Sequence, residues 1–291
     1  MKRLSYLLKT MRPKQWTKNV IIFAALIFDG KLTHRVPLLQ TCAGFILFCL
    51  ISGVVYTLND VVDLEKDKLH PRKRFRPLPS GQLNRRFAIT GTSVIAMISF
   101  ICAYQLNRGF FLVLMGYFGL QLIYAFVLKH IVLLDVMAIA AGFVLRVSAG
   151  IPLVHPERFS PWLYICTTLL ALFLGLSKRR GELILLEDEA EEHRKTLKEY
   201  TVYLLDQLIN MVSASTILAY ALYTFSAPNL PTNYAMMLTI PFVIYGLFRY
   251  LYLIHTQACT LPPDEVLLTD RPFQINIVLW GISAMLILYI G

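Results

Sequence analysis

Three aspartates, Asp60, Asp63 and Asp67, follow Asn59 at helical spacing. At about 100° per residue, a helix over this stretch places all three carboxylates within an arc of about 60°. Three acids on one stripe repel one another unless a cation lies between them. Oxygen ligands of this kind suit Mg²⁺, which typically binds through one or two carboxylates and substrate phosphates. The spacing therefore predicts a magnesium site, to which Asn59 can add an amide oxygen.

A strongly basic stretch follows the aspartates: residues 70–81 read His-Pro-Arg-Lys-Arg-Phe-Arg-Pro-Leu-Pro-Ser-Gly. Bases such as Arg72 and Arg76 can hold phosphate beside acids that hold a metal, which predicts a site for a diphosphate with its Mg²⁺. The alternative is a solvated helix end whose acids pair with nearby lysines and arginines. We favour the site, because ionisable groups rarely crowd the end of a membrane helix without a function.

Polar residues also border other apolar segments. Arg12 and Trp16 are explained by an anchor at the lipid headgroups, whereas a buried Asn19 needs a polar partner. The residues that we expect to contribute to a site are Lys18, Asn19, Lys129, Asp135, Lys178, Arg179 and Glu182. Arg146 follows Asp135 by eleven residues, about 16 Å along a helix axis, so the two cannot pair. Each needs another partner, and for Arg146 we expect a structural role.

The elements that carry these residues are predicted to be membrane helices. The chain has 291 residues, of which 56% are hydrophobic and only 16% charged. A soluble protein carries about 25% charged residues, so we do not expect a soluble enzyme, and the apolar composition excludes disorder. Eight segments have the length and polarity of spanning helices: 37–58, 87–106, 109–128, 131–151, 161–177, 207–227, 234–254 and 272–290. With a shorter ninth run at 16–28, they predict an all-α polytopic helical bundle of about nine transmembrane helices.

The positive charges predict the orientation. With nine spans, most of the 28 Lys and Arg residues fall on the side of the amino terminus, which is the cytoplasmic side by the positive-inside rule. We therefore expect a multi-pass protein of the cell membrane with its amino terminus and active site in the cytoplasm. We read 1–291 as one catalytic domain, with loops 59–86 and 178–203 capping the site. The five cysteines are scattered and do not predict a disulfide framework. The basic residues follow the predicted membrane topology and do not predict a nucleic-acid partner.

The Asn59-Asp60-x-x-Asp63-x-x-x-Asp67 stretch at the end of a second membrane helix resembles the signature of the UbiA-type intramembrane prenyltransferases. The helix plan and the Tyr124…Lys129 pair resemble that family too, so the likeness spans essentially the whole chain. It implies a helical bundle with a central cavity, capped by cytosolic loops and open sideways to lipid. It also implies that Mg²⁺ bridges the carboxylates and a diphosphate leaving group.

This chain departs from most family members in one motif, and the departure indicates a particular branch of the family. Most family members carry a second Asp-rich motif at the end of the sixth helix, where this chain has Lys178-Arg179-Arg180-Gly181-Glu182. Together with residues 12–19, 70–77 and 133–135, this is similar to a branch that transfers 5-phosphoribose from phosphoribosyl diphosphate to polyprenyl (decaprenyl) phosphate, for cell-wall arabinan. The implied metal ligands are Asp60, Asp63 and Asp67. The implied catalytic residues are these three with Lys129 and Asp135. The implied substrate-binding residues are Lys18, Asn19, Asn59, Arg72, Arg76, Lys178, Arg179 and Glu182.

Two other functions stay open at this point. A prenyltransferase acting on an aromatic or haem-like acceptor shares the metal motif but would need the second Asp pair. A transporter would use Asp135 and Arg146 along its pathway, yet the charges gather on one face of the membrane rather than at its middle. The sequence allows a homo-oligomer without specifying one.

Overall fold

A computed structural model describes residues 2–69, 73–156, 160–185, 197, 199–227, 230–256, 266 and 269–290. The regular structure in these ranges is helical, with eleven α-helices: α1 Lys2–Thr10, α2 Ala24–Phe28, α3 Arg35–Val62, α4 Leu64–Leu69, α5 Arg85–Leu106, α6 Arg108–Phe126, α7 Leu134–Val154, α8 Pro161–Leu185, α9 Val202–Ser226, α10 Ile240–Thr256 and α11 Arg271–Tyr289. One short 3₁₀ helix follows α6, another precedes α10, and a longer one covers Pro13–Phe23.

Eight of the described helices are long and apolar enough to cross a membrane, which confirms the all-helical, multi-pass prediction. They correspond to the eight long segments expected from the sequence. The ninth apolar run, 16–28, is not one continuous spanning helix. It is made of the 3₁₀ helix Pro13–Phe23 and the five-residue α2, and neither of these has the roughly 20 residues of a spanning α-helix.

Helix α8 corrects a predicted boundary. The sequence suggested a loop beginning at residue 178, but α8 continues through that point to Leu185. The basic and acidic residues of 178–182 therefore lie on the last turns of a helix. Fixed helical geometry decides which of them face the protein interior and which face outward.

The described residues form two compact units. The first comprises Met1–Ile27, Lys31–Ala125 and Leu145–Pro156, and the second comprises Phe28–Gly30, Phe126–Val144 and Glu157–Gly291. Phe48, Phe110 and Tyr117 lie in the core of the first unit. Phe173 and Tyr250 lie in the core of the second. One catalytic domain over 1–291 stays a prediction.

Side-chain caps fix where three of the helices begin. Asn84 accepts a hydrogen bond from the backbone N–H of Arg86 at the start of α5. Thr201 and Asp270 accept equivalent bonds at the starts of α9 and α11. Each cap satisfies a backbone donor that the first helical turn leaves unpaired.

Candidate active site

Two of the three motif aspartates meet at one arginine in the first unit. Nη1 of Arg76 lies 2.8 Å from Oδ2 of Asp67 and 3.1 Å from Oδ1 of Asp60. The carboxylates are almost completely buried, with Asp60 2% and Asp67 4% exposed. Lys73 lies 3.7 Å from the other oxygen of Asp67. The predicted neighbourhood of acids and bases is thus present in the structure, and we call it the acidic cluster.

Arg12 completes the acidic cluster, although the sequence suggested only a lipid anchor for it. Its guanidinium donates to Oδ1 of Asp60 and lies 5.1 Å from the centre of the Tyr56 ring. Arg12 has a left-handed backbone, with φ 53°, which turns the chain between α1 and the 3₁₀ helix. Pro13 marks the break after α1, because the helical conformation is disfavoured for the residue before a proline. No local signal marks the contact with Asp60, which lies far along the chain.

Asp63 interrupts the continuous helix that was predicted over the three aspartates. Helix α3 ends at Val62, and Asp63 has φ −91° and ψ 12°, outside helical geometry. Its side chain is only partly buried, whereas those of Asp60 and Asp67 are almost completely buried. Within the described ranges, no three His, Cys, Asp or Glu side chains lie close enough to share a metal ion. The ligand set of Asp60, Asp63 and Asp67 stays a prediction, and two of its members, Asp60 and Asp67, converge on Arg76.

This pair still fits Mg²⁺. Oxygens of two buried carboxylates already converge on a single cationic atom, Nη1 of Arg76, so they lie close enough to share a cation. Two carboxylates, completed by water and substrate phosphates, are the usual protein contribution to a magnesium site. The backbone carbonyl of Asn59 accepts a hydrogen bond from Asp63 N–H, and the Asn59 side chain is partly buried.

Asn19 belongs to a different network of the first unit, around Arg146. Its amide Nδ2 donates to Ser52 Oγ at 3.1 Å and faces Cys49 Sγ at 3.3 Å, while its Oδ1 accepts from Arg146 Nε at 2.9 Å. Arg146 also donates to the hydroxyl of Tyr117. Both amide donors of Asn19 are used within the protein, and its contact with phosphate stays a prediction. Arg146 pairs with Asn19 and not with Asp135, which agrees with the distance between Asp135 and Arg146 along the helix.

Asp135 lies at the centre of a second polar cluster, in the second unit. It is fully buried and accepts hydrogen bonds from Arg179 Nε at 2.7 Å and from the Tyr200 hydroxyl at 2.9 Å. Arg179, itself 3% exposed, also donates to Glu182 one turn later on α8. The guanidinium predicted to hold donor phosphate is therefore engaged by two carboxylates and neutralises Asp135, while its contact with phosphate stays a prediction.

Tyr200 is the residue of this cluster that sequence reasoning missed. Its hydroxyl donates to Asp135 and accepts the backbone N–H of Leu133 at 2.8 Å. Leu133 has φ +65°, an unusual conformation for a bulky residue that needs support from its surroundings. Burial, together with the neighbouring Asp135, raises the pKa of Tyr200 to about 12, so the hydroxyl keeps its proton at neutral pH. No local motif marks Tyr200, because its partners are more than sixty residues away.

The other predicted site residues are distributed over both units. Lys18 is partly buried in the 3₁₀ helix, and Lys129 is partly buried on the 3₁₀ turn Leu128–His130. Lys178 is exposed on α8, on a different face from Arg179. Arg72 lies outside the described residues. The roles of Lys18, Lys129, Lys178 and Arg72 stay predictions.

The fold and the acidic cluster define an all-helical, multi-pass membrane protein with paired acids and bases at the end of a spanning helix. The family model described as "UbiA prenyltransferase family" matches residues 20–262, so the chain belongs to this family. The family predicted from the aspartate motif is thereby confirmed.

Individual relatives agree with this assignment. The chain is 30% identical to decaprenyl-phosphate phosphoribosyltransferase from Corynebacterium glutamicum, over 98% of this chain and 87% of the relative. It is 31% identical to the protein of the same name from Mycolicibacterium smegmatis, over 95% and 90% of the two chains. A UbiA homologue from Archaeoglobus fulgidus, solved with DMAPP and Mg²⁺, superposes with a TM-score of 0.75 over 98% of this chain and 99% of its own. At 19% identity, that likeness concerns the fold alone.

Proposed function

We propose that this protein transfers 5-phosphoribose from phosphoribosyl diphosphate to a polyprenyl phosphate and releases diphosphate. The observation that carries the proposal is the acidic cluster: two buried carboxylates and three cations in a chain about 30% identical, over nearly its whole length, to decaprenyl-phosphate phosphoribosyltransferases. Decaprenyl phosphate is the acceptor by the names of those relatives, and the arabinan precursor is the product that the resemblance implies.

The charge of the acidic cluster suits a diphosphate. Asp60 and Asp67 carry two negative charges, against the three positive charges of Arg12, Lys73 and Arg76. With Mg²⁺ added, the cluster has a clear positive excess for a donor that carries several phosphate charges. Buried charges require such compensation, because an unpaired ion in a dry site is costly.

Asp60 and Asp67 would hold Mg²⁺ directly and Asp63 through water. When bound, Mg²⁺ would stabilise the charge that develops on the diphosphate as the anomeric C–O bond breaks. Arg76, Lys73 and Arg12 then bind the diphosphate oxygens and orient the leaving group. An acceptor phosphate oxygen forms the new bond to the anomeric carbon. Because that phosphate is already an anion at neutral pH, no residue has to act as a strong general base.

The remaining task of the protein is to hold two anions together against their repulsion. For this we retain Lys18, Lys129, Lys178 and Arg72 as candidate phosphate ligands. Glu182 and Asp135 act through Arg179, as the residues that keep its guanidinium in place. We also propose that the protein lies in the cell membrane with its amino terminus in the cytoplasm, because the basic residues gather on that side.

A direct assay tests the proposal. Purified protein in detergent is incubated with Mg²⁺, labelled phosphoribosyl diphosphate and a polyprenyl phosphate, and label is followed into the lipid phase. We expect transfer that stops with EDTA and with Asp60→Asn. Glu65→Gln is the matched control, because Glu65 is an exposed acid of the same region that pairs with Lys68 at the surface.

The second candidate is transfer of a prenyl group from prenyl diphosphate to an aromatic acceptor. It is favoured by the family assignment and by the related fold solved with DMAPP. Folded protein that moves label from a prenyl diphosphate, and none from phosphoribosyl diphosphate, would replace the first proposal with the second.

A further inference from the structure

Helix α1 divides its side chains among three directions. Leu7 and Thr10 are buried against the protein, and Leu7 packs in a cluster with Leu78, Leu83 and Ala88. Leu4 and Leu8, one turn apart on a neighbouring stripe, are 68% and 50% exposed. Ser5 and Lys9 are exposed on the remaining side. An aqueous surface would account for Ser5 and Lys9 but not for a stripe of two leucines.

The contacts of α1 place it near one end of the spanning helices. Leu7 lies against Gly91, where an added Cβ would be only 2.9 Å from Leu7 Cδ2. Gly91 is less than two turns from Arg85, the first residue of α5. At about 1.5 Å per residue, the 22 residues of α5 roughly match the thickness of the hydrocarbon core. Helix α1 therefore lies at the level of a membrane interface, at the side where α5 begins.

The charged residues of α1 and of the segment that follows it are all basic. Residues 1–28 contain no Asp or Glu, and their basic residues are Lys2, Arg3, Lys9, Arg12, Lys14 and Lys18. Lys9 and Arg3 are exposed on α1 itself. A helix with an apolar stripe, a polar side and basic residues binds in the plane of a membrane that carries negative lipids.

We propose that α1 is an in-plane anchor that binds the anionic lipid surface at the amino-terminal side of the membrane. Leu4 and Leu8 enter the acyl region, and Lys9 with Arg3 contacts the lipid phosphates. Arg12 follows α1 by two residues, so this anchoring also fixes the backbone that carries Arg12 to Asp60. The proposal is independent of which group the protein transfers.

Tryptophan fluorescence in proteoliposomes tests the anchor. Leu8→Trp reports from the apolar stripe, and Ser5→Trp is the matched control from the polar side of the same helix. The unsubstituted chain supplies the background of its three native tryptophans. With lipids brominated in the upper acyl chain, we expect strong quenching of Leu8→Trp and weak quenching of Ser5→Trp.

Lipid charge provides the second readout. Adding phosphatidylglycerol to phosphatidylcholine is expected to increase the quenching of Leu8→Trp. Lys9→Gln in that background is expected to weaken this preference for anionic lipid about fivefold, the effect of one basic residue at a charged surface. Leu4→Trp, on the same stripe, replaces Leu8→Trp if that variant does not fold.

Two results would overturn the proposal. Equal quenching at Ser5→Trp and Leu8→Trp would show that α1 has no preferred side toward lipid. Absence of quenching at Leu8→Trp, with disulfide cross-linking between chains carrying Leu8→Cys, would show that a second copy of the protein covers the leucine stripe.

Discussion

The guanidinium of Arg179 donates from Nε to Oδ2 of Asp135 over 2.7 Å, and both side chains are almost completely buried. The two residues were predicted separately, one to act in catalysis and the other to bind phosphate. The structure joins them in one ion pair, which Tyr200 and Glu182 extend on either side. Each charge is thus neutralised within the protein, which explains how a carboxylate is tolerated in an apolar bundle.

Arg179→Met is expected to destabilise the protein by about 3–5 kcal/mol, because it leaves the carboxylate of Asp135 buried without its cation. Adding Asp135→Asn should restore much of this loss, since the remaining group is then uncharged. Thermal and chemical unfolding in detergent measure both effects. Lys178→Gln, at the exposed neighbouring position, should change stability by less than about 0.5 kcal/mol. A stable Arg179→Met that has lost donor binding would instead make Arg179 a phosphate ligand.

Asp60→Asn and Asp63→Asn are expected to differ in their effects on metal-dependent transfer. Asp60 is buried and shares Arg76 with Asp67, whereas Asp63 lies beyond the end of α3. We expect Asp60→Asn to lower the rate by about 10²-fold or more, the contribution of a direct metal ligand. Asp63→Asn should cost about tenfold, as for a group acting through water. Rates measured over a range of Mg²⁺ concentrations decide this, and equal losses would make Asp63 a direct ligand as well.

Asp270 is expected to make stability depend on acid pH. The hydrogen bonds from Arg249, at 2.8 and 3.2 Å, lower the pKa of Asp270 below its ordinary value. The stabilisation is therefore complete above the ordinary pKa of an aspartate and is lost as pH falls through the lowered pKa. The midpoint of unfolding should decrease as the pH falls through this range. In Asp270→Asn this decrease should be smaller, because the contribution of Asp270 is absent.

Asparagine is the suitable replacement because it keeps the amino-terminal cap that Asp270 provides to Phe273 N–H while removing the charge. Asp270→Ala removes both and should cost about 1 kcal/mol more than Asp270→Asn. An unchanged acid dependence in Asp270→Asn would assign it to other carboxylates.

Gly150→Ala is expected to destabilise the first unit by about 1–3 kcal/mol through overpacking. A Cβ at Gly150 would lie 2.2 Å from the carbonyl oxygen of Ile22, so either α7 or the 3₁₀ helix that carries Asn19 would have to move. Gly119 of α6 is the matched control, because an added Cβ has no atom within 4 Å. Gly119→Ala should stabilise by about 0.5–1 kcal/mol, as alanine does in a helix. Unfolding of both variants in the same detergent makes the comparison.

Much of the fold could be predicted because the membrane makes helices almost obligatory for long apolar segments. The eight spanning helices follow from runs of apolar residues, since each helix satisfies its own backbone hydrogen bonds. Residues 16–28 were harder to predict, because a run of this length is compatible with a tilted helix or with shorter pieces. In the structure this segment contacts distant residues, for example through the hydrogen bond that Arg146 donates to Asn19.

The aspartate motif predicted the acidic cluster because its spacing is local: Asp60 near the end of α3 and Asp67 on α4 are only seven residues apart. Sequence alone determined the helical architecture and the clustering of acids in this motif, since these depend on composition and short-range spacing, and the resemblance of the motif indicated the family. The tertiary structure decided that Arg12 joins the cluster and that Arg179 neutralises Asp135. It also decided that Tyr200 supports Leu133. A buried charge must find a counter-charge, but which residue supplies it depends on how distant segments pack.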